Sequence, residues 1–417
     1  MKPVKALKKV FFRSVLFFSI TIQLCLTSTI EGQTFTFKNN RKKDAIQFKL
    51  VKNLIIIPVY INEKGPFNFI LDTGVAPLLI TDPTIVDTLD VKALRSIKLK
   101  GLGDGADLDA FITNGIRAKI GRSTISNIPS AILKKDIFNL SNYVGMHIYG
   151  LIGFDFFNSF IVKINYPAKK LSYFLPDGKL KIKGEKIPIT LITNKPYLTA
   201  QVSNEKSVTE DLVLIIDIGA SHALSLESYR EKPFPRPSKT ITANLGMGIG
   251  GHINGEIGRV SNLKVGSFNF PNVLTSFPNF ADAGAKLRTK ERNGNLGADI
   301  LKHFHVTIDY QGGSIYLRPN KFYKNVFEHD MSGMEVYMDE QKTKRYFVGS
   351  IEPGSPAEEA GIFTDDEIVS INLVRMDQYD LDEITNILKA GDDRKVILEI
   401  FRNGELQFKV LRLKIRI

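Results

Sequence analysis

From about Phe35 to Arg318 the chain alternates short apolar runs, rich in β-branched and aromatic residues, with clusters of Gly, Pro, Asn and Asp. "LIIIPVYIN", "AFITNGIRAKIG" and "FIVKINY" are typical, and the pattern predicts a mainly-β organisation built from hairpins. After about residue 330 the pattern changes. "IEPGSPAEEAGIFTDDEIVSIN" from Ile351 predicts a turn, a short helix from Pro356 to Ala360 stopped at Gly361, and then a strand. "LDEITNILKAG" from Leu381 has helical apolar spacing ended by Gly391, and "KVILEIFRNGELQFKVLRL" is a hairpin turning at Asn403-Gly404. Residues 330–417 therefore read as a separate small α+β domain.

The β region repeats itself. Asp72 and Asp217 are 145 residues apart, and "KIGRSTISNIP" at Lys119 returns as "KVGSFNFPNV" at Lys264 with the same offset. "LIGFDFFNSFIVKINY" from Leu151 aligns with "NLGADILKHFHVTIDY" from Asn295 at an offset of 144. Three matches in order, at an offset constant to within one residue, predict two similar lobes, 33–180 and 181–325. "PDGKLKIKGEK" from Pro176, polar and turn-rich, joins them.

The N-terminus stands apart from both lobes. Lys2, Lys5, Lys8, Lys9 and Arg13 precede an apolar run from Val15 to Leu26, followed by small and polar residues up to Gln33. Residues 1–32 read as a secretory signal cleaved before Gln33, the run being short for a membrane span. The lone cysteine, Cys25, lies within it; Leu24 stands where a lipoprotein signal has a small residue, so lipidation at Cys25 is the minority reading. A mature chain without thiols has neither disulfides nor cysteine-bound metal. The formal charge is +12 over 417 residues and falls to +8 without residues 1–32. No compact Lys/Arg stripe interleaved with aromatics accompanies it, which argues against nucleic acid.

The two repeated acids carry the candidate chemistry. "FNFILDTGVAPLL" and "LVLIIDIGASHAL" each run an apolar strand into an aspartate and a glycine, so each carboxylate leaves a sheet at a tight turn. Lobes related by an approximate twofold axis bring Asp72 and Asp217 face to face. Two carboxyls that close cannot both ionise comfortably and share a proton. One then takes a proton from a water while the other donates to a carbonyl oxygen, with no metal, cofactor or covalent intermediate.

With "ILDTG" at Ile70, "IIDIG" at Ile215 and the apolar-apolar-Gly stretches "GLIGFD" and "GNLGAD" that follow them, the region 33–325 resembles the pepsin/retropepsin class of aspartic peptidases. The resemblance implies two β lobes with the active site between them, Asp72 and Asp217 as catalytic pair, and Thr73, Gly74, Ile218 and Gly219 as supports of the two turns. Gly153 and Gly297 would pack behind those turns in the psi-loops. Asp155 and Asp299 read as caps or turn residues. "GLGDGAD" and "LGMGIGGHINGE" fall where the family has substrate-covering flaps, which makes Gly101, Gly103, Gly105, Gly246, Gly248 and Gly250 flap residues. Gly246 to Gly251 also satisfies a dinucleotide fingerprint, but short strands follow instead of a helix, so no dinucleotide is expected.

The C-terminal domain resembles a PDZ domain, on "PGSPAEEAGI". Such domains bind extended peptides or C-termini by strand addition. The groove strand is expected at Tyr346, Phe347 and Val348, beside the helix at Leu381. "DEQKTKR" before it lacks the glycine loop that captures a carboxylate. The combined expectation is an exported aspartic endopeptidase of the periplasm, cell envelope or medium, acting on polypeptides.

One residue points elsewhere. In the family the residue after each aspartate is Thr or Ser and ties the two turns together; Thr73 supplies that hydroxyl and Ile218 does not. A peptide-binding protein with an impaired dyad is therefore the competing reading. His303 and His305 form an ordinary strand pair in this reading, with no third ligand at metal spacing. Ser221-His222 beside Asp217 is not a triad, because neighbours in a strand point to opposite faces.

Overall fold

The residues immediately before the two aspartates, Phe69-Ile70-Leu71 and Leu212 to Ile216, are continuously apolar, which is the signature of a strand covered on both faces. In the computed structural model they lie in the strands Lys64–Leu71 and Thr209–Asp217, and Ile70, Leu71, Leu214, Ile215 and Ile216 are fully buried. The structure describes residues 34–417 apart from 90, 92, 100–104, 106, 178–179, 249–250, 287–291 and 340–343. The expected signal segment 1–32, with Cys25, lies outside the described residues.

The chain is mainly β, and its two lobes use the same local plan. Lys64–Leu71 lies antiparallel to Leu54–Ile61 and parallel to Gly150–Ile152, which in turn is antiparallel to Leu78–Ile80. In the second lobe Thr209–Asp217 lies antiparallel to Lys195–Ser203 and parallel to Arg292–Gly297, itself antiparallel to Leu224–Leu226. Each aspartate strand is thus flanked by a strand from the apolar-apolar-Gly segment more than 70 residues later. The hairpins that share the "KIG" and "KVG" motifs turn at Gly121 and Gly266, both with positive φ.

A third sheet belongs to both lobes. Ile161–Asn165 pairs antiparallel with Phe304–Asp309, setting Val162 opposite Ile308, Lys163 opposite Thr307 and Ile164 opposite Val306. The sequence repeat equates Val162 with Val306 and Ile164 with Ile308. Equivalent strands therefore meet across a local twofold axis that passes at Lys163 and Thr307. Val162, Ile164, Val306 and Ile308 are fully buried there. The turns bearing the aspartates are fixed relative to each other through this shared core.

The C-terminal sheet runs in the order Met334–Asp339, Arg345–Ile351, Glu367–Ile371, Lys395–Arg402, Glu405–Arg412. Its helix Leu381–Leu388 begins at a capping box, with Glu383 N–H donating to Asp380 Oδ1 at 2.8 Å and Asp380 N–H to Glu383 Oε2 at 2.9 Å. Val348, Ala357, Ile371, Val396 and Leu398 build a core separate from that of the lobes.

Truncating Ile308 to Ala on the shared sheet is expected to cost about 2–5 kcal/mol. The same truncation at half-exposed Val208 stays within about 0.5 kcal/mol. Urea unfolding of the two variants checks the contrast.

Candidate active site

Each aspartate is held by its own turn in the same way. Gly74 N–H donates to Asp72 Oδ1 at 2.6 Å, and Gly219 N–H to Asp217 Oδ1 at 3.0 Å. The two carboxyls come close together: a single Cβ placed on Gly74 would lie 3.1 Å from Asp72 Oδ1 and 3.4 Å from Asp217 Oδ2. Burial, and next the charge of Asp217, push the Asp72 carboxyl well above the usual carboxylate range, against the opposing pull of the Gly74 N–H. A proton shared by the pair is the consequence.

The glycines are there because the chains approach too closely for a side chain. A Cβ on Gly219 would lie 2.3 Å from Asp72 Cγ, and one on Gly74 would be 3.1 Å from Asp72 Oδ1 and 3.4 Å from Asp217 Oδ2. Behind the turns, a Cβ on Gly153 would lie 1.7 Å from the carbonyl oxygen of Asp72, and one on Gly297 2.0 Å from that of His222. Gly153 and Gly297 thus mark close contacts with backbone, Gly219 a close contact with the Asp72 carboxyl, and Gly74 a position where a Cβ would only crowd the two carboxyls.

Of the two residues that follow the aspartates, Thr73 makes side-chain bonds across the lobe boundary and Ile218 does not. The Thr73 hydroxyl donates to the Ile216 carbonyl at 2.6 Å and accepts the Ile218 N–H at 3.1 Å, both across the lobe boundary. Ile218 returns neither bond. Its side chain is instead fully buried in the core, so the substitution replaces polar ties with packing.

Asp217 has a further partner. Asn295 Nδ2 donates to Asp217 Oδ2 at 2.7 Å, and Asn295 Oδ1 lies 3.3 Å from His222 Nε2. The signal of Asn295 in the sequence is a polar side chain inside an apolar-apolar-Gly motif. Ser221 and His222 do not form a triad with Asp217: Ser221 Oγ lies 3.2 Å from Tyr143 OH.

Several expected roles change. Asp155 and Asp299 are not helix caps, since Gly153 and Gly297 occupy the cap positions without side-chain capping bonds. Asp155 is partly buried, which pushes its carboxyl up to about 6, while Asp299 pairs with Lys302 and accepts Asn53 Nδ2 at 3.0 Å. His303 precedes the strand that holds His305, and its ring nitrogens meet the carbonyls of Asp299 and Asn325 at 2.8 and 3.2 Å.

The cleft over the pair has a volume of about 2100 Å³. Gly105, Gly246 and Gly248 line it, the latter two at the end of the hairpin Thr240–Gly248 with Gly251–Val265. Gly101, Gly103 and Gly250 lie outside the described residues. The same cavity reaches Glu335, Val336, Ile384 and Leu388 of the C-terminal domain.

The groove strand of that domain is not the one expected. Tyr346, Phe347 and Val348 lie on an interior strand with neighbours on both sides, and Tyr346 and Val348 are core residues, so no ligand strand can be added there. The outer strand of the sheet is Met334–Asp339, and it flanks the cavity together with Leu381–Leu388. Lys52 of the first lobe already touches it: Lys52 Nζ donates to the Val336 carbonyl at 3.2 Å and Lys52 N–H to Asp382 Oδ1 at 3.0 Å. The next residue, Asn53, donates from Nδ2 to the Ser221 carbonyl at 2.8 Å. One turn thus links the C-terminal domain to the loop that follows Asp217. At the start of the outer strand a glycine-containing loop does exist, but the N–H groups of Ser332 and Gly333 donate to Asp330 Oδ1 at 2.8 and 2.7 Å.

Two aspartates at paired turns between duplicated β lobes define an aspartic-peptidase-like site. Residues 57–156 match the family model described as aspartyl protease, and residues 347–402 match the PDZ domain. The chain combines a retropepsin-like aspartyl protease domain with a C-terminal PDZ domain.

Because the folded state raises the affinity of Asp72 for its proton, this contribution to stability is complete below the ordinary carboxylate value of about 4 and is lost as pH rises through the raised value. Asp72→Asn cannot lose it. Melting curves from pH 4 to 7 should show the parent losing stability relative to Asp72→Asn as pH rises; parallel curves would remove the shared proton from the account.

Proposed function

We propose that the chain is an endopeptidase that cleaves polypeptides with a water activated between Asp72 and Asp217. The observation that carries this reading is the pair of closely approaching carboxyls lining a cleft of about 2100 Å³. The ionised member of the pair accepts a proton from the water as its oxygen bonds to the carbonyl carbon, and the protonated member donates to the carbonyl oxygen. The tetrahedral intermediate then collapses: the proton gained from water passes to the amide nitrogen, the C–N bond breaks, and a hydroxyl proton returns to the other carboxyl. Both carboxyls end as they began. The glycine-rich hairpin over the site supports a role in excluding water.

The competing reading, a peptide-binding protein with a dyad too loose to turn over, is favoured by Ile218 alone. Against it stand the two bonds made by Thr73 and the bond from Asn295 to Asp217. A dyad held at three points has little freedom to drift by the ~1 Å that costs about a hundredfold in rate.

For the PDZ domain we propose docking of an extended internal segment of the polypeptide along Met334–Asp339. The cavity shared with the dyad supports this, and the Ser332 and Gly333 amides turned toward Asp330 argue against capture of a free C-terminus. The basic and apolar character of residues 1–32 supports export to the periplasm or envelope.

Cleavage of an unfolded polypeptide at mildly acidic pH, followed by mass spectrometry, tests the activity. Asp72→Asn and Asp217→Asn should each fall by more than about a thousandfold, and Gly219→Ala by more than about a hundredfold. Unchanged cleavage in either Asn variant would end the proposal, and a parent that binds peptide without cutting it would favour the competing reading. Peptides identical except for a free or an amidated C-terminus should bind the full chain within about twofold of each other by fluorescence anisotropy. A tenfold preference for the free terminus would contradict internal docking.

A further inference from the structure

The two halves of the dyad come from one repeated motif, and their backbone contacts correspond. Gly74 serves Asp72 as Gly219 serves Asp217, and the Val75 N–H reaches the Asp72 carbonyl as the Ala220 N–H reaches that of Asp217, both at 3.4 Å. The side-chain environments do not correspond. Leu151 pairs with Ile70 beside Asp72, and Asn295 pairs with Ile215 beside Asp217. Where the first lobe offers a hydrocarbon, the second offers an amide 2.7 Å from a carboxyl oxygen.

The orientation of that amide follows from its partners. Only Nδ2 can approach a carboxylate oxygen favourably, so Oδ1 faces His222, and His222 must then donate from Nε2–H. Burial lowers the affinity of His222 for a second proton, against the charges of Asp217 and Glu227, which leaves the neutral tautomer that this chain of bonds requires. Asn295 itself is 6% exposed, so water competes little for its amide. A neutral donor held in a dry site favours the charged form of the group it touches.

We propose that Asn295, oriented by His222, is a positioning residue that gives the two aspartates unequal roles: Asp217 carries the charge and accepts the proton of water, while Asp72 carries the proton and donates to the carbonyl oxygen. The inference rests on the peptidase reading for its chemistry, but the asymmetry itself is a property of the resting site. Other ionisable groups around the pair are Lys195, Glu227, Arg292, Asp299 and the Tyr310 phenol. Glu227 and Arg292 form a buried ion pair at 2.7 Å. The charges of Lys195, Asp299 and the Glu227–Arg292 pair remain when Asn295 is changed.

The test replaces Asn295 with the residue its own repeat carries, Asn295→Leu. Asparate carboxyls labelled with ¹³C are titrated by NMR in the parent and the variant, a measurement that needs no turnover. In the parent the Asp217 resonance should report the charged form at pH values where Asp72 is still protonated. In Asn295→Leu the first ionisation of the pair should move up by about one pH unit, the equivalent of one lost charge-assisted bond. The acidic limb of kcat/KM should move with it, with kcat reduced about tenfold or more and KM little changed. His222→Phe, which keeps a ring but cannot donate, should move the limb in the same direction by less, and it covers the case in which Asn295→Leu does not fold. An unshifted first ionisation in a folded variant, or a parent in which Asp217 holds its proton longer than Asp72, would overturn the assignment. A parent with no hydrolysis but with the expected titration would overturn the peptidase reading and leave the asymmetry standing.

Discussion

The close approach of the Asp72 and Asp217 carboxyls is the constraint around which the rest of the protein is arranged. Two carboxyls do not remain in contact unless the surroundings hold them there, because at neutral pH their natural tendency is to ionise and separate. Here the holding is done by the pairing of Ile161–Asn165 with Phe304–Asp309 at the local twofold axis and by the Thr73 hydroxyl across the lobe boundary. Glycines at 153 and 297 then let backbone close to distances that a Cβ would forbid, and Gly219 leaves room for the Asp72 carboxyl. The duplicated sequence supplies the geometry, and the geometry imposes the shared proton.

Duplication also frees the two halves to diverge. Thr73 has the hydroxyl that bridges the lobes while Ile218 is core, and Leu151 is apolar where Asn295 is a donor. The loss on one side and the gain on the other both affect the second turn.

Much of this was legible from the chain. The constant offset between repeats located both aspartates, and the apolar-apolar-Gly segments located the strands that pack beside them, because strand pairing and close backbone approach leave strong local signatures. What was not legible depended on which strand lies beside which. The shared sheet needs two segments 144 residues apart to pair, and neither segment says so alone. The expected groove strand, Tyr346–Val348, is interior because Met334–Asp339 pairs along it, and both strands alternate buried with less buried residues, so the pattern alone does not tell edge from interior. The motif around Asn295 is marked by its glycine more than by its amide, and the turn at Lys52 and Asn53 is an ordinary polar turn that carries no mark of the domain it touches.

That turn joins the two domains chemically. A polypeptide that adds to Met334–Asp339 competes with Lys52 for the Val336 carbonyl, and Asn53 beside it holds the carbonyl of Ser221, four residues beyond Asp217. The central claim remains the activation of water by the carboxyl pair without a covalent intermediate. It is tested most directly by digesting an unfolded polypeptide in H₂¹⁸O with hydroxylamine present and reading the product masses. The account predicts internal cleavage with one ¹⁸O in each new C-terminal carboxylate and no hydroxamate. Hydroxamate at the new termini, or recovery of the polypeptide uncut, would contradict it.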